Sequence, residues 1–289
     1  MAYRTVDTPT RKTANVGGFL QRHSLQNFAN TALKAAAGSW FIVAVIGQLV
    51  FAVYTVSFYG GTAVRWDLKA WNKINPHAYV PGDTMGNVAV GTHFVLAVII
   101  ILCGAIQLIP QVRKRAPAFH RWNGRVYILT AFTISVGGLY IVWIRGTVGD
   151  FGQHLASTFN AALIILCAAM ALRYALARKF AVHRRWALRL FMVASGVWFF
   201  RIGFRLWFFL NGGPAGYDPK TFTGPFLTLW TFGQFLLPLI VLELYLRTQG
   251  RPGAPRRIAM TACLLVLTVA MGVGIFLATT RMWLPRILH

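Results

Sequence analysis

Residues 87–109 read NVAVGTHFVLAVIIILCGAIQLI. No residue in this stretch is charged, and its one histidine, His93, lies within two turns of its start. As an α-helix rising about 1.5 Å per residue, a run of this length crosses a hydrocarbon core about 30 Å thick. Six further runs are predominantly apolar and of similar length: 38–59, 124–144, 155–176, 186–210, 222–246 and 258–279. The sequence therefore predicts an all-α, polytopic integral membrane protein with seven transmembrane helices. A basic tail occupies 1–34. A single transmembrane domain spans 35–280, with a central four-helix unit at 86–210, and a short tail at 281–289 ends the chain. No stretch is left over for a separate soluble domain.

Composition agrees. Of the 289 residues, 56% are hydrophobic and only 12% are charged, whereas a soluble domain carries about a quarter charged residues. The tail has early charges but no apolar core and no small-residue cleavage site, so it is not read as a cleavable signal peptide. The first apolar run then acts as the insertion signal.

Twenty of the 29 Lys and Arg residues fall on one side of the predicted topology. They occupy the tail and the loops after spans two, four and six. The positive-inside rule places that side, with the N-terminus, in the cytoplasm and the C-terminus outside. The net charge of +23 sits at span ends, where it meets anionic lipid headgroups. No separate basic domain exists to hold a nucleic acid. Cys103, Cys167 and Cys263 lie inside apolar runs without metal-type spacing and read as small buried residues.

Four histidines stand near the ends of successive spans: His93, His120, His154 and His183. Because successive spans alternate in direction, His93 and His154 pair at the outer face and His120 and His183 at the inner face. The two levels lie roughly 20–25 Å apart along the membrane normal. Two neutral imidazoles on neighbouring helices can clamp a haem iron from both sides, giving a low-spin centre suited to electron transfer. Gly104, three turns after His93, and Gly124, one turn after His120, would admit a flat ring. Arg121, Arg125, Arg184 and Arg189 would pair with haem propionates at the inner face. Simpler roles compete. His120 and His183 sit in basic clusters, where a histidine is solvated at the interface or bound to phosphate. His93 and His154 can hydrogen-bond between helices or handle protons.

Other polar residues add detail. Arg201 and Arg205 lie one turn apart, with Asp150 and Asp218 as nearby carboxylates; Arg201 is the deeper and suits an anionic ligand or a carbonyl. Glu243 is expected to pair with Arg247 on its own helix. Gln107, Asn160 and Gln234 are expected to bond between helices. The aromatic loop 60–85 is expected to pack over the outer face as a lid, and the Gly/Pro-rich loop 211–221 reads as turns.

The motifs His120-Arg-Trp-Asn-Gly-Arg-Val-Tyr127 and His183-Arg-Arg-Trp-Ala-Leu-Arg189, with His93 upstream, resemble a bacterial family of predicted membrane proteins classed as a domain of unknown function. The resemblance covers about 93–205 and implies no established activity. Ala187 stands where that family usually has methionine, and His154 matches no motif position. The arrangement of histidines on four consecutive helices, first paired with third and second with fourth, is also similar to that of the two-haem transmembrane cytochromes b.

The expected function is membrane electron transfer through one or two bis-histidine b-type haems, with oxidoreductase-type activity and, as donor, a quinol (the reduced form of a membrane quinone) or a soluble reductant. The expected location is a bacterial cytoplasmic membrane. The alternative is a non-redox membrane protein: a scaffold or accessory subunit of a larger complex, or a carrier of a small or lipidic anion.

Overall fold

The computed structural model describes residues 10–250 and 253–288, with side chains from Ser24 onward. Of the basic tail 1–34, residues 1–9 lie outside the described residues and 10–23 are described in their backbone alone. From Thr10 that backbone is helical and continuous with the first span.

Eight main helices follow in order: α1 (Thr10–Thr55), α2 (Thr84–Leu108), α3 (Pro117–Tyr140), α4 (Phe151–Leu176), α5 (Phe180–Ala194), α6 (Gly196–Leu210), α7 (Pro225–Gln249) and α8 (Ala254–Ala278). Among the described residues, six helices are long and apolar enough to cross a membrane, and the number rises to seven if the pair α5–α6, bent by 50°, is one broken span. The protein is thus an all-helical polytopic membrane protein. Large apolar side chains such as Val53, Val95, Leu129, Val266 and Val269 are exposed, which is what a lipid-facing belt requires.

Local chemistry sets the helix ends. Asp83 caps α2 by accepting from the Gly86 N–H at 2.9 Å, and Asp150 caps α4 by accepting from the Gln153 N–H at 2.8 Å. Prolines occupy the first turns of α3, α7 and α8, where no N–H is missed. Within the spans, hydroxyls satisfy themselves on their own helix. Thr55, Ser135, Thr231 and Thr268 each donate to the carbonyl one turn back, avoiding an unpaired group in hydrocarbon.

Helices α2, α3, α4 and α5 pack in sequence around a ring, which α5 closes by touching α2 lightly. Spans two to five thus form a four-helix unit in which α2 faces α4, and α3 faces α5, across the diagonals. Around it, α1 packs on α2 and α8, α8 on α6, α6 on α7, and α7 on α4 and α5. Close approach needs glycine at two places. A Cβ on Gly274 would meet the Ile202 backbone carbonyl at 2.8 Å, and one on Gly203 would overlap the Trp230 ring.

The bend in span five falls at Ser195–Gly196, a pairing that commonly kinks helices. The Ser195 hydroxyl donates to the Phe191 carbonyl at 2.7 Å and accepts from Gln48 Nε2 at 2.8 Å. Beside Gly196 lie Asn160 Nδ2 and Phe235 Cβ.

Candidate functional site: an intramembrane cavity at the broken span

A cavity of about 310 Å³ opens beside this break. Its polar lining includes Gln48 from α1, His93 from α2, Asn160 from α4, Trp198 and Arg201 from α6, and Gln234 from α7. Aromatic and aliphatic groups, among them Phe94, Ile101, Tyr127, Ile134 and Phe191, complete the wall. The cavity lies between α2 and α4, on the diagonal of the four-helix unit.

The polar groups on this wall are poorly served by the protein. Gln48 Oε1, His93 Nδ1, Asn160 Oδ1, Trp198 Nε1 and Gln234 Oε1 are buried without a hydrogen-bond partner. Each such group costs about 1–3 kcal/mol if nothing pairs with it. Five together rival the whole stability of a domain, about 5–15 kcal/mol. They converge on one space, so that space is built for polar contents. Gln234 instead donates within its own helix, to the Thr231 carbonyl at 2.9 Å. Of the three amides expected to bond between helices, Gln107 does so, giving its N–H to the His120 carbonyl at 2.8 Å. Asn160 and Gln234 aim their oxygens at the cavity.

Arg201 is the one cation on this wall. Its guanidinium lies 5.0 Å from the centre of the Phe51 ring and donates to the Val197 carbonyl at 3.2 Å. Neither carboxylate suggested by the sequence reaches it. Asp150 is taken up by its cap and by the Thr228 hydroxyl at 2.8 Å, and Asp218 accepts from the Lys220 N–H. Arg205 turns instead to Met282 Sδ at 3.4 Å.

Loop 65–83 covers the end of the cavity opposite the basic face, with Asn75 in the lining. Arg145 holds it there, on a π-helical turn at Ile141–Gly146. Its side chain is 2% exposed and contacts Asp83 at 2.5 Å. It also donates to the carbonyls of His77 and Ala78 at 3.0 and 3.2 Å and to Asn87 Oδ1 at 2.7 Å. Trp71 adds a bond to the Thr62 hydroxyl at 2.9 Å and an edge contact to Phe94.

The four histidines divide unevenly. His93 lines the cavity. His154 is not in that lining; it packs edge-on against Trp143 at 5.8 Å, with Nε2 buried and unpartnered. At the basic face, His183 Nδ1 lies 2.9 Å from the Ala171 carbonyl. A carbonyl only accepts, so this nitrogen carries the hydrogen. His120 sits within electrostatic reach of His183 and Arg113, and its own Nδ1 is buried and unpartnered. No three His, Cys, Asp or Glu side chains among the described residues gather as a metal site.

Several supporting residues serve other ends than a haem. The space beside Gly104 is filled by Tyr127, and that beside Gly124 by Gln107. These glycines allow α2 and α3 to pack, not a ring to enter. Arg189 is engaged by Glu243, with Nε–Oε1 2.6 Å and Nη2–Oε2 3.1 Å. This replaces the Glu243–Arg247 pair expected along one helix. Arg121, Arg125 and Arg184 are exposed. Of the cysteines, Cys167 is buried, Cys103 is half-buried and Cys263 is exposed.

Residues 90–221 match the family model described as Predicted membrane protein (DUF2306). That family is one of predicted membrane proteins of unknown function, and the similarity covers just under half of the chain. It contains all four histidines, Asn160, Trp198 and Arg201, whereas Gln48 and Gln234 lie outside it. None of the curated proteins and none of the solved structures compared with the chain matches it.

Proposed function

We propose that this protein binds a compact ligand with an anionic head and an apolar body inside the bilayer, in the cavity at the α5–α6 break, and serves as its carrier. The observation that carries this reading is Arg201: a cation without a carboxylate partner among the described residues, lining the same space as five residues with unpartnered polar atoms. An intramembrane ionisable residue is a functional-site hypothesis by default. A discontinuous span with irregular backbone beside a cavity is the usual form of a transporter binding site. The basic face is placed in the cytoplasm, so that the loop 65–83 lid and the C-terminus lie outside.

Octanoate is a suitable probe, with octanol as its neutral counterpart. In purified protein, octanoate is expected to raise the thermal midpoint saturably, octanol much less, and Arg201→Gln to abolish the difference. An equal response in wild type and variant, or none in either, overturns the reading; the latter is the result for a cavity that holds only water.

A second reading, haem at the basic face, draws on His183 and His120. A ligating histidine typically gives its other ring N–H to a carbonyl, as His183 does to Ala171. His120 stands on the diagonally opposite helix. These two residues fit a bis-histidine b-type haem, which would supply one-electron transfer. His93 and His154 do not meet in one cavity and do not fit a second haem. Reduced-minus-oxidised spectra decide this: low-spin haem b bands lost in His183→Ala support it, and a colourless preparation from haem-replete cells ends it.

A further inference from the structure

A second concavity, of about 220 Å³, lies at the basic face between α5 and α7, lined by Arg185, Arg189, Glu243, Leu246, Arg247 and Gly250. Arg185 and Arg189 are one turn apart on α5, and Glu243 and Arg247 one turn apart on α7, so two helices present two charged residues each to one notch. Glu243 takes two of the five N–H groups of Arg189 through Nε and Nη2. Trp186 supports the same guanidinium from below, 4.7 Å from its ring centre. Arg189 is therefore held rigidly, with Nη1 still free to donate. Arg185 and Arg247 are exposed and have no acceptor among the described residues.

We propose that this notch binds a phosphate group. Three guanidinium groups against one carboxylate leave two positive charges, which matches a phosphate dianion. The Arg189–Glu243 pair neutralises the carboxylate that would otherwise repel it. The guanidinium fork is the side chain best suited to phosphate oxygens. The notch sits where α5 begins and α7 ends, at the level of lipid headgroups, so the phosphate can come from an anionic lipid or from solution. Basic pockets between helices at this level are known headgroup sites. The proposal is independent of the ligand in the α5–α6 cavity.

The test uses the full-length protein in nanodiscs of pure phosphatidylcholine and in discs doped with phosphatidic acid, with Arg185→Gln/Arg247→Gln as the variant. Both residues are exposed, so folding is expected to be unaffected, and octanoate binding in the cavity should persist. Saturable binding of inorganic phosphate in the pure discs, weakened at least about tenfold in the variant, supports the site and assigns it a soluble phosphate. Retention of phosphatidic acid on extraction, seen by native mass spectrometry and lost in the variant, supports it and assigns it a lipid. Binding of neither probe, or equal binding by wild type and variant, overturns it.

Discussion

Arg145 shows how much one residue can organise. Its guanidinium is buried and contacts loop 65–83 through a carboxylate and two carbonyls, and the first turn of α2 through the Asn87 amide oxygen. Arg145→Ala should cost about 2–3 kcal/mol, below the 3–5 expected when a fully buried pair is broken, because the Asp83 side chain stays 39% exposed. The loss should appear as faster hydrogen exchange in 65–83, with α2 and α3 protected as before. Asp150 gives a pH prediction. Burial pushes its carboxyl up, but donations from Gln153, Thr228 and Gly152 outweigh that and hold it below its ordinary value. A lowered value in the folded state stabilises above the unfolded pKa, and the gain disappears as pH falls through the folded one. Asp150→Asn should therefore lower the thermal midpoint near neutrality and flatten its decline in acid; an unchanged acid limb would refute the cap's electrostatic role. Neither role was visible in sequence. A short loop conceals which of its charges faces inward, and the i,i+4 rule that suggested Glu243–Arg247 sees one helix at a time. The observed partner, Arg189, comes from a neighbouring helix.

At the scale of elements, the spans were legible because hydrocarbon demands long uncharged runs, and six emerge as continuous helices. The four-helix unit was legible too, since short loops force successive spans to be neighbours. The bend at Ser195–Gly196 was not, because a Ser-Gly pair permits a kink without requiring one and 186–210 has the length of a single span. Tertiary contacts meet at the bend: Gln48 from α1 bonds the Ser195 hydroxyl, and Asn160 fills the side of Gly196. A Cβ on Gly196 would stand 3.1 Å from Asn160 Nδ2 and 3.5 Å from Phe235 Cβ. Gly196→Ala should be absorbed by a small shift, whereas Gly196→Val should cost about 1–3 kcal/mol through overpacking. If the break shapes the cavity, Gly196→Val should also weaken octanoate binding more than its loss of thermal stability explains. Equal binding after correction for stability would separate the bend from the site.

At the scale of the whole molecule, the cavity joins helices from both ends of the chain, α1 and α7 as well as the four-helix unit. No local motif could announce it. The four histidines drew attention in sequence because their types and depths repeat. The site that forms includes one of them and adds Gln48, Asn160, Gln234 and Arg201, residues drawn from α1, α4, α7 and α6 that meet only when those helices assemble. The energetic oddity of that site supplies the most discriminating test. An arginine retained for structure stabilises the protein that contains it, whereas one retained for a ligand is a burden until the ligand arrives. A central intramembrane arginine costs about 2.5–3.5 kcal/mol on an insertion scale. Arg201 lies nearer a helix end and recovers about 0.5–2 kcal/mol from the Phe51 ring. Arg201→Met keeps the length and removes the charge. It should raise the thermal midpoint of the ligand-free protein, by about 1 kcal/mol on the difference of those terms, while removing stabilisation by octanoate. A destabilised Arg201→Met protein that still responds to octanoate would make Arg201 a structural residue and move the anion site elsewhere.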